Sequence, residues 1–509
     1  MIKSISVFFT FLLLVSCNVV KHHNKKISML HSIKDLHLDI DKAFNSLKRH
    51  HPKLYQYINK DSLDYKIDSL KRVIDQPINS KVFYNKIAPV LASIRQGHIS
   101  ISPQTQRFTK KEYKRIKKKT FEFYDIDFAF LDSKLWVVKT RGKDRDFVGS
   151  EVLKIDNDSV SKLIKQYRKT FTSDGYNTTL YNNALGRYFK HFYYKDKGFL
   201  NQLEITFKKQ DVVFKKLFKR VPKKTNEKDS LVKKNKPYKH LKKKKRRQGY
   251  MAKLNQYTRN MSFLGKDSLV AYVKIRSFTN GPYRTFYKSC FEKIENKNCQ
   301  NLILDLRDNG GGRVAEIDYL FSYLSNTPYQ FTKQAEVTGR LPAYKYIMSN
   351  KRHLAIKAIG VVFAPVIIAH NLIKTHKKSG KIYYKLKYAR FKLPKLKAFK
   401  GRIYVLINGN SFSASSLIAT HLKATQRAVF VGEETGGAYN GCVAGIYRDL
   451  QLPKTKLNMR FGLMQIETPY TQHPDGFGVK PNVIITPTIT NYLANEDPQI
   501  NWVLNDIYK

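Results

Sequence analysis

Leu302-Ile303-Leu304-Asp305-Leu306-Arg307-Asp308-Asn309-Gly310-Gly311-Gly312 is the stretch whose reading decides the architecture. Its first residues form a short apolar run, the pattern of a strand buried on both faces. The run breaks into charged residues and then three glycines, whose backbone N–H groups have no side chain in the way and so suit an anion or a developing oxyanion. A second unit of the same kind lies about a hundred residues on. There Ile403-Tyr404-Val405-Leu406-Ile407 leads through Asn408-Gly409-Asn410 into Ser411-Phe412-Ser413-Ala414-Ser415-Ser416 and a helical pattern running toward Leu422. Residues 270–275 and 428–431 read as further strands, and the segments from Val314 and Ser415 as helices. This alternation argues an α/β domain with βαβ crossovers, and turns at the carboxyl ends of such strands are where open α/β sheets place their sites. Ser413, at the mouth of a helix, sits where the dipole and free N–H groups stabilise negative charge, which suits an acyl-transfer nucleophile. On local grounds alone, simple N-capping by one of the four serines is the better explanation of the cluster.

Upstream, residues 32–95 carry Leu36, Ile40, Ala43, Phe44 and Leu47, then Ile87, Leu91 and Ile94, at helical spacing. From about residue 122 to 220 the pattern turns to short strands, such as Leu135-Trp136-Val137-Val138 and Leu203-Glu204-Ile205-Thr206-Phe207. Within it, residues 148–160 resemble the central strand, turn and helix start of a PDZ domain, which would offer a strand edge to an extended peptide; a generic hairpin fits too. The chain therefore reads as multidomain α+β. Its expected parts are a helical domain at 32–115, a PDZ-like β-rich domain at 116–222, an α/β domain with βαβ crossovers at 251–490, and a tail at 491–509.

The 509 residues carry a formal charge of +55. With 31 Phe and 32 Tyr the chain is nonetheless too aromatic for a disordered polycation, and 25 Gly and four Cys exclude collagenous and disulfide-rich classes. The charge is concentrated. Residues 208–247 hold 19 Lys or Arg against three acidic residues and overlap a basic insertion at 223–250, and a second basic insertion spans 330–398. Such blocks are usually solvated loops, open to anionic lipid or another polyanion, and they do not argue for a nucleic-acid partner. Within the second insertion, residues 354–373 are apolar but interrupted by Lys357, Pro365 and His370, which favours a cap or membrane-surface helix over a span.

Residues 1–16 resemble a bacterial lipoprotein signal peptide. One Lys precedes an apolar run that ends in Leu14-Val15-Ser16-Cys17, making Cys17 the expected lipid anchor after a tether at 17–31. An ordinary secretory signal is the alternative. The expected location is the cell envelope, facing the periplasm or the cell surface. Cys290, Cys299 and Cys442 remain; a Cys290–Cys299 disulfide is possible in that compartment, although spacing cannot establish it. No C-x-x-C or H-E-x-x-H occurs, so no metal or cofactor is expected from the sequence.

Taken together, Leu304-Asp305-Leu306-Arg307-Asp308-Asn309-Gly310-Gly311-Gly312, Ser411-Phe412-Ser413-Ala414-Ser415, Val431-Gly432-Glu433-Glu434-Thr435-Gly436-Gly437 and Asp475-Gly476-Phe477-Gly478-Val479-Lys480-Pro481-Asn482 resemble, in order, the motifs of the C-terminal processing (tail-specific) and tricorn-type serine peptidases. The resemblance implies a ClpP/crotonase-like βαβ fold for the α/β peptidase domain, Ser413 as the nucleophile, and an oxyanion hole supplied by Ala414 with Gly310 and Gly311. It departs from the family at Ser416, where the motif closes on Glu, and at Ala438, where members with a Ser-Lys dyad carry the lysine. Arg95-Gln96-Gly97-His98-Ile99-Ser100 resembles the Gly-His segment of the tricorn-like branch, which implies His98 as general base, with Asp475 and Ser100 as supporting groups. His473 is the alternative base, whereas His421 lies too far along its helix to reach Ser413. The implied activity is a serine endopeptidase acting on peptides or unfolded proteins. A catalytically inactive peptide-binding lipoprotein and a polyanion-binding envelope protein are the alternatives.

Overall fold

The computed structural model describes residues 19–223, 246, 248–252 and 256–509. The signal peptide, Cys17 and most of the 223–250 insertion lie outside the described residues.

The α/β region is built on a six-stranded sheet, in the order Arg259–Leu264, Val270–Ile275, Asn301–Asp305, Arg402–Ile407, Ala428–Gly432, Val483–Ile484. Every neighbouring pair is parallel except the first. Alternation along the strands divides the side chains between two faces. Leu302, Leu304, Ile403, Val405 and Ile407 join one hydrophobic cluster, whereas Ile303, Tyr404, Leu406 and Val431 join another. Covering both faces is what makes these strands read as unbroken apolar runs. The second face is closed by Pro498–Ile507, so the expected tail is a packed helix with Val503 fully buried.

The helices Ile33–His50, Lys60–Arg72 and Ser80–Ala92 begin at Ser32, Asn59 and Asn79, whose side chains accept from first-turn N–H groups. Their apolar face is not a separate core. Leu36, Ile40, Phe44, Ile87 and Leu91 belong to the same cluster as Leu304, Val405 and Phe461. Buried Asp39 ties the segment down by accepting from the N–H groups of Lys454 and Thr455. The strand Ser100–Ser102 then adds to a second sheet beside Asn458–Ile466, next to which Cys442–Gln451 runs antiparallel.

The middle region has a core of its own around Phe123, Val137, Ile155, Leu185 and Phe207. Its antiparallel sheet runs Lys119–Phe121, Val212–Pro222, Gln202–Lys209, Glu151–Ile155, Lys134–Thr140, Ile126–Leu131. The strand Glu151–Ile155 turns at residues 156–157 into the short antiparallel strand Asp158–Ser159, and the helix Val160–Arg168 follows. The 330–398 insertion is only partly peripheral: Ala335–Val337 and Lys381–Tyr384 extend the second sheet. Its helices Leu354–Val362 and Ala364–Lys374 meet at 74°, and among the described residues no single helix is long and apolar enough to cross a membrane. Cys290, Cys299 and Cys442 are all free thiols, so the Cys290–Cys299 pair is absent.

Candidate active site

The strand Arg402–Ile407 delivers its chain into a tight turn, from which the helix Ala414–Ala424 departs. Ser413 sits at the junction with φ 58° and ψ −118°, a strained conformation for a residue with a side chain. The four serines of this segment separate cleanly by partner. Ser411 Oγ donates to the Leu306 carbonyl, Ser415 Oγ to that of Asn309, and Ser416 Oγ to that of Ser411. Ser413 caps nothing, and its Oγ lies 3.0 Å from His98 Nε2. Capping, the local alternative for Ser413, is thereby left to other groups.

Asn309 holds the two turns together. Its carbonyl accepts from the Phe412 N–H and from Ser415 Oγ, and its Nδ2 donates to the Ile275 carbonyl. Gly311 rests so close to the serine that a Cβ there would fall 2.7 Å from the Phe412 oxygen and 2.8 Å from both Ala414 N and Ser413 Cβ, at a φ of 96°. Of the three expected oxyanion donors, the Gly311 N–H is engaged by Asn309 Oδ1 at 2.9 Å. The Ala414 N–H opens the helix, where no internal acceptor exists. Gly310 faces open space. Beneath the turn, burial would raise the Asp308 carboxyl, but Arg187, Lys274, Asn410 and Asn408 outweigh it and hold it below its usual range.

His98 arrives from the end of the helical segment, where Ile94 and the left-handed Arg95 turn the chain. Its placement depends on a loop that the sequence did not single out. Asp174, 1% exposed, accepts the Gly97 N–H at 2.7 Å through Oδ1, which lies 3.9 Å from His98 Nδ1. Gly97 admits this approach because a Cβ there would meet the Phe412 ring at 2.5 Å. Gly175 and Tyr176 fasten the same loop by donating to the carbonyls of Arg95 and Gly476. His98 is flanked by the rings of Phe412 and Tyr447 at 5.0 and 6.2 Å. The buried thiol of Cys442 completes the surroundings.

The other expected groups are elsewhere. Asp475 accepts from Gln56 Nε2 at 2.8 Å, Asn440 Nδ2 at 3.0 Å and its neighbour's Gly476 N–H at 2.7 Å. A hydrogen-bonded route from it to the His98 turn runs through Gln56 and Gln96, whose side chains are bonded to each other. With His51, Gln56 and Asn440 it lines a cavity of about 610 Å³ beside that turn. Ser100 is exposed in its strand opposite Arg460, because it has already passed from the turn into the sheet. His473 is exposed before Pro474, and Ala438 is buried and bridges Gly478, so it supplies no base. His421 Nε2 donates to the Phe331 carbonyl at 2.6 Å and the ring stacks on that of Phe331; burial lowers its pKa to about 4, as for a neutral core residue. Asp174 and Cys442 escaped the sequence reading because neither lies in a recognisable motif; the only signal at Asp174 is its Ser-Asp-Gly turn.

Against known proteins, the sequence model described as Peptidase family S41 matches residues 269–485, which carry the glycine turn, Ser413 and Asp475; His98 and Asp174 lie upstream of it. No curated protein matches the chain. Among solved structures, mature CPAF is similar in fold, with a TM-score of 0.60 at 13% identity, covering 93% of this chain and 96% of that one. Mature CPAF complexed with lactacystin gives 0.59 at 14% identity, over 93% and 97%. The photosystem II D1 C-terminal processing protease gives 0.41 at 13% identity, over 89% and 93%. With the glycine turn and serine elbow in place on its sheet, residues 269–485 carry the match to Peptidase family S41, and the chain is similar to the serine peptidases of that family.

Proposed function

We propose that the chain is an endopeptidase of the cell envelope that cleaves peptides or unfolded proteins through an acyl-enzyme on Ser413. The observation that carries this reading is the 3.0 Å contact between His98 Nε2 and Ser413 Oγ, made while the neighbouring serines are spent on backbone carbonyls. In this mechanism His98 takes the hydroxyl proton as Oγ attacks the scissile carbonyl, then returns it to the leaving amine. The oxyanion forms beside the Ala414 N–H, with the Gly310 N–H as its second donor. Asp174 orients the imidazole through Gly97 and stabilises the imidazolium that forms. The test is labelling by a serine-directed fluorophosphonate together with cleavage of an unfolded protein. Ser413→Ala and His98→Ala should each lose at least a thousandfold in kcat/KM, and Ser413→Ala should lose the label. Undiminished cleavage by both variants refutes the reading, whereas tight peptide binding without turnover in the unmodified chain supports the inactive alternative.

The same reading places the enzyme on a membrane, by lipidation of Cys17 and by the helix pair of the second insertion. Support comes from Leu354, Ile359, Val362, Phe363, Val366 and Ile373, which are all exposed, beside exposed Lys351, Lys377 and Lys378. Apolar groups on a basic rim suit the interface of an anionic bilayer, where each lysine adds about 1 kcal/mol. Flotation with phosphatidylglycerol vesicles tests it on the chain lacking residues 1–17: the protein should float, and Val362→Glu with Phe363→Asp should abolish this without loss of peptidase activity. Equal flotation of that variant argues for the basic 223–250 segment instead.

A further inference from the structure

His98, Asp174 and Cys442 come from the helical segment, the middle region and the second sheet, yet they converge beside Ser413. One donor atom from each lies within 4.8 Å of the other two. Two features mark the cluster as unfinished. His98 Nδ1 and Asp174 Oδ2 are both buried without a hydrogen-bond partner, although leaving such groups unpaired is costly. Asp174 is 1% exposed, and its second oxygen is unused even though the first accepts from Gly97. The donors are one imidazole nitrogen, one carboxylate oxygen and one sulfur. That set suits zinc, which accepts all three types tetrahedrally, and not magnesium or calcium, which require shells of oxygen. Donors around a tetrahedral zinc are about 3.3–3.6 Å apart, given bonds of about 2.0–2.3 Å. The 3.9 Å between His98 Nδ1 and Asp174 Oδ1 is therefore within a small side-chain adjustment of a binding geometry.

We propose that His98, Asp174 and Cys442 bind a zinc ion that reversibly switches the peptidase off, with water or the Ser413 hydroxyl as fourth ligand. Binding forms a bond from the Cys442 sulfur to the metal and releases the thiol proton to solvent; nothing is oxidised or reduced. Inhibition follows for either ring nitrogen. Zinc on Nε2 occupies the lone pair that would take the serine proton. Zinc on Nδ1 fixes the proton on Nε2, which then donates to Ser413 Oγ and cannot accept from it. Asp174 is simultaneously diverted from the imidazolium that it would stabilise. This inference rests on the reading of His98 as the base of Ser413.

The experiment separates the two. The full chain carrying Ser413→Ala is titrated with cobalt(II), whose thiolate charge-transfer absorption reports sulfur ligation without any activity, and zinc is then added in competition. One cobalt per chain and the thiolate band are expected, with zinc displacing it. Cys442→Ser should abolish the band, and Asp174→Asn should weaken zinc at least tenfold, since even changing a residue that only hydrogen-bonds to a metal ligand costs about 10–100-fold. In the unmodified enzyme, zinc should block fluorophosphonate labelling and EDTA should restore it, while magnesium at the same concentration has no effect. Absence of the thiolate band, or zinc binding unchanged in both Cys442→Ser and Cys442→Ala, overturns the proposal. Labelling of Ser413 that continues at saturating zinc refutes the inhibition while leaving the catalytic reading intact. A thiolate band in a chain whose Ser413 takes no label refutes the catalytic reading and leaves the metal site standing.

Discussion

Asp174→Asn tests the electrostatics of the site most directly, because it removes a charge and almost nothing else. Asparagine keeps an oxygen to accept the Gly97 N–H, so the turn that carries His98 retains its anchor. What disappears is a full negative charge 3.9 Å from His98 Nδ1, in a place where the two side chains are 10% and 1% exposed. At an effective dielectric constant of about 20, unit charges at that distance attract by about 4 kcal/mol. The imidazolium exists only once the serine proton has moved, so this energy enters the transition state and not the ground state. The expected cost is about a thousandfold in kcat, with KM little changed. The assay is steady-state cleavage of a fluorogenic peptide, paired with the rate of fluorophosphonate labelling, which should fall in step. A kcat within about tenfold of the parent would refute the reasoning and return the supporting role to Asp475 and its Gln56–Gln96 relay. So would a loss expressed only in KM.

Two further outcomes follow from the geometry. Gly311→Ala should cost at least a hundredfold in kcat, because its Cβ would press on Phe412, Ser413 and Ala414 from 2.7–2.8 Å at a φ of 96°, displacing the oxyanion site; unchanged labelling kinetics would contradict this. Acid should weaken the fold through His421, whose pKa is lowered to about 4 by burial while the unfolded chain takes up the proton near 6.5. Its stabilising contribution is complete above pH 6.5 and falls away as the pH drops toward 4, by about 3 kcal/mol for a group that is fully buried. In the Ser413→Ala background, urea unfolding at pH 7 and pH 4.5 should therefore differ less for His421→Phe than for its parent; an equal difference would remove His421 as the cause.

Much of the architecture was legible because its signals are local. Apolar runs at 302–306 and 403–407 become strands for the reason they are apolar, which is burial on both faces. The glycine turn and the serine elbow follow those strands directly. Misreadings arose where a segment's role depends on a distant partner. The 491–509 tail carries helical spacing in Ile500, Val503, Leu504 and Ile507, but spacing does not say which face such a helix covers, and Val503 lies buried in one cluster with Tyr404 and Leu406. The helices before residue 93 looked like a domain because amphipathic spacing says that a face is buried and not what buries it. Asp475 was placed by its distance from Gly478-Val479-Lys480-Pro481, but its hydrogen bonds go to Gln56 and Asn440.

The division runs along the range of the forces involved. The amino-acid sequence by itself determined the strands, the Gly310–Gly312 turn, and a serine held at a helix mouth, since backbone conformation and side-chain periodicity act over a few residues. Which serine is free, which acid faces His98, and the meeting of His98, Asp174 and Cys442 were decided only by tertiary structure. These groups are separated by tens to hundreds of residues, and they meet because three packed elements converge on one turn. No local propensity encodes that meeting.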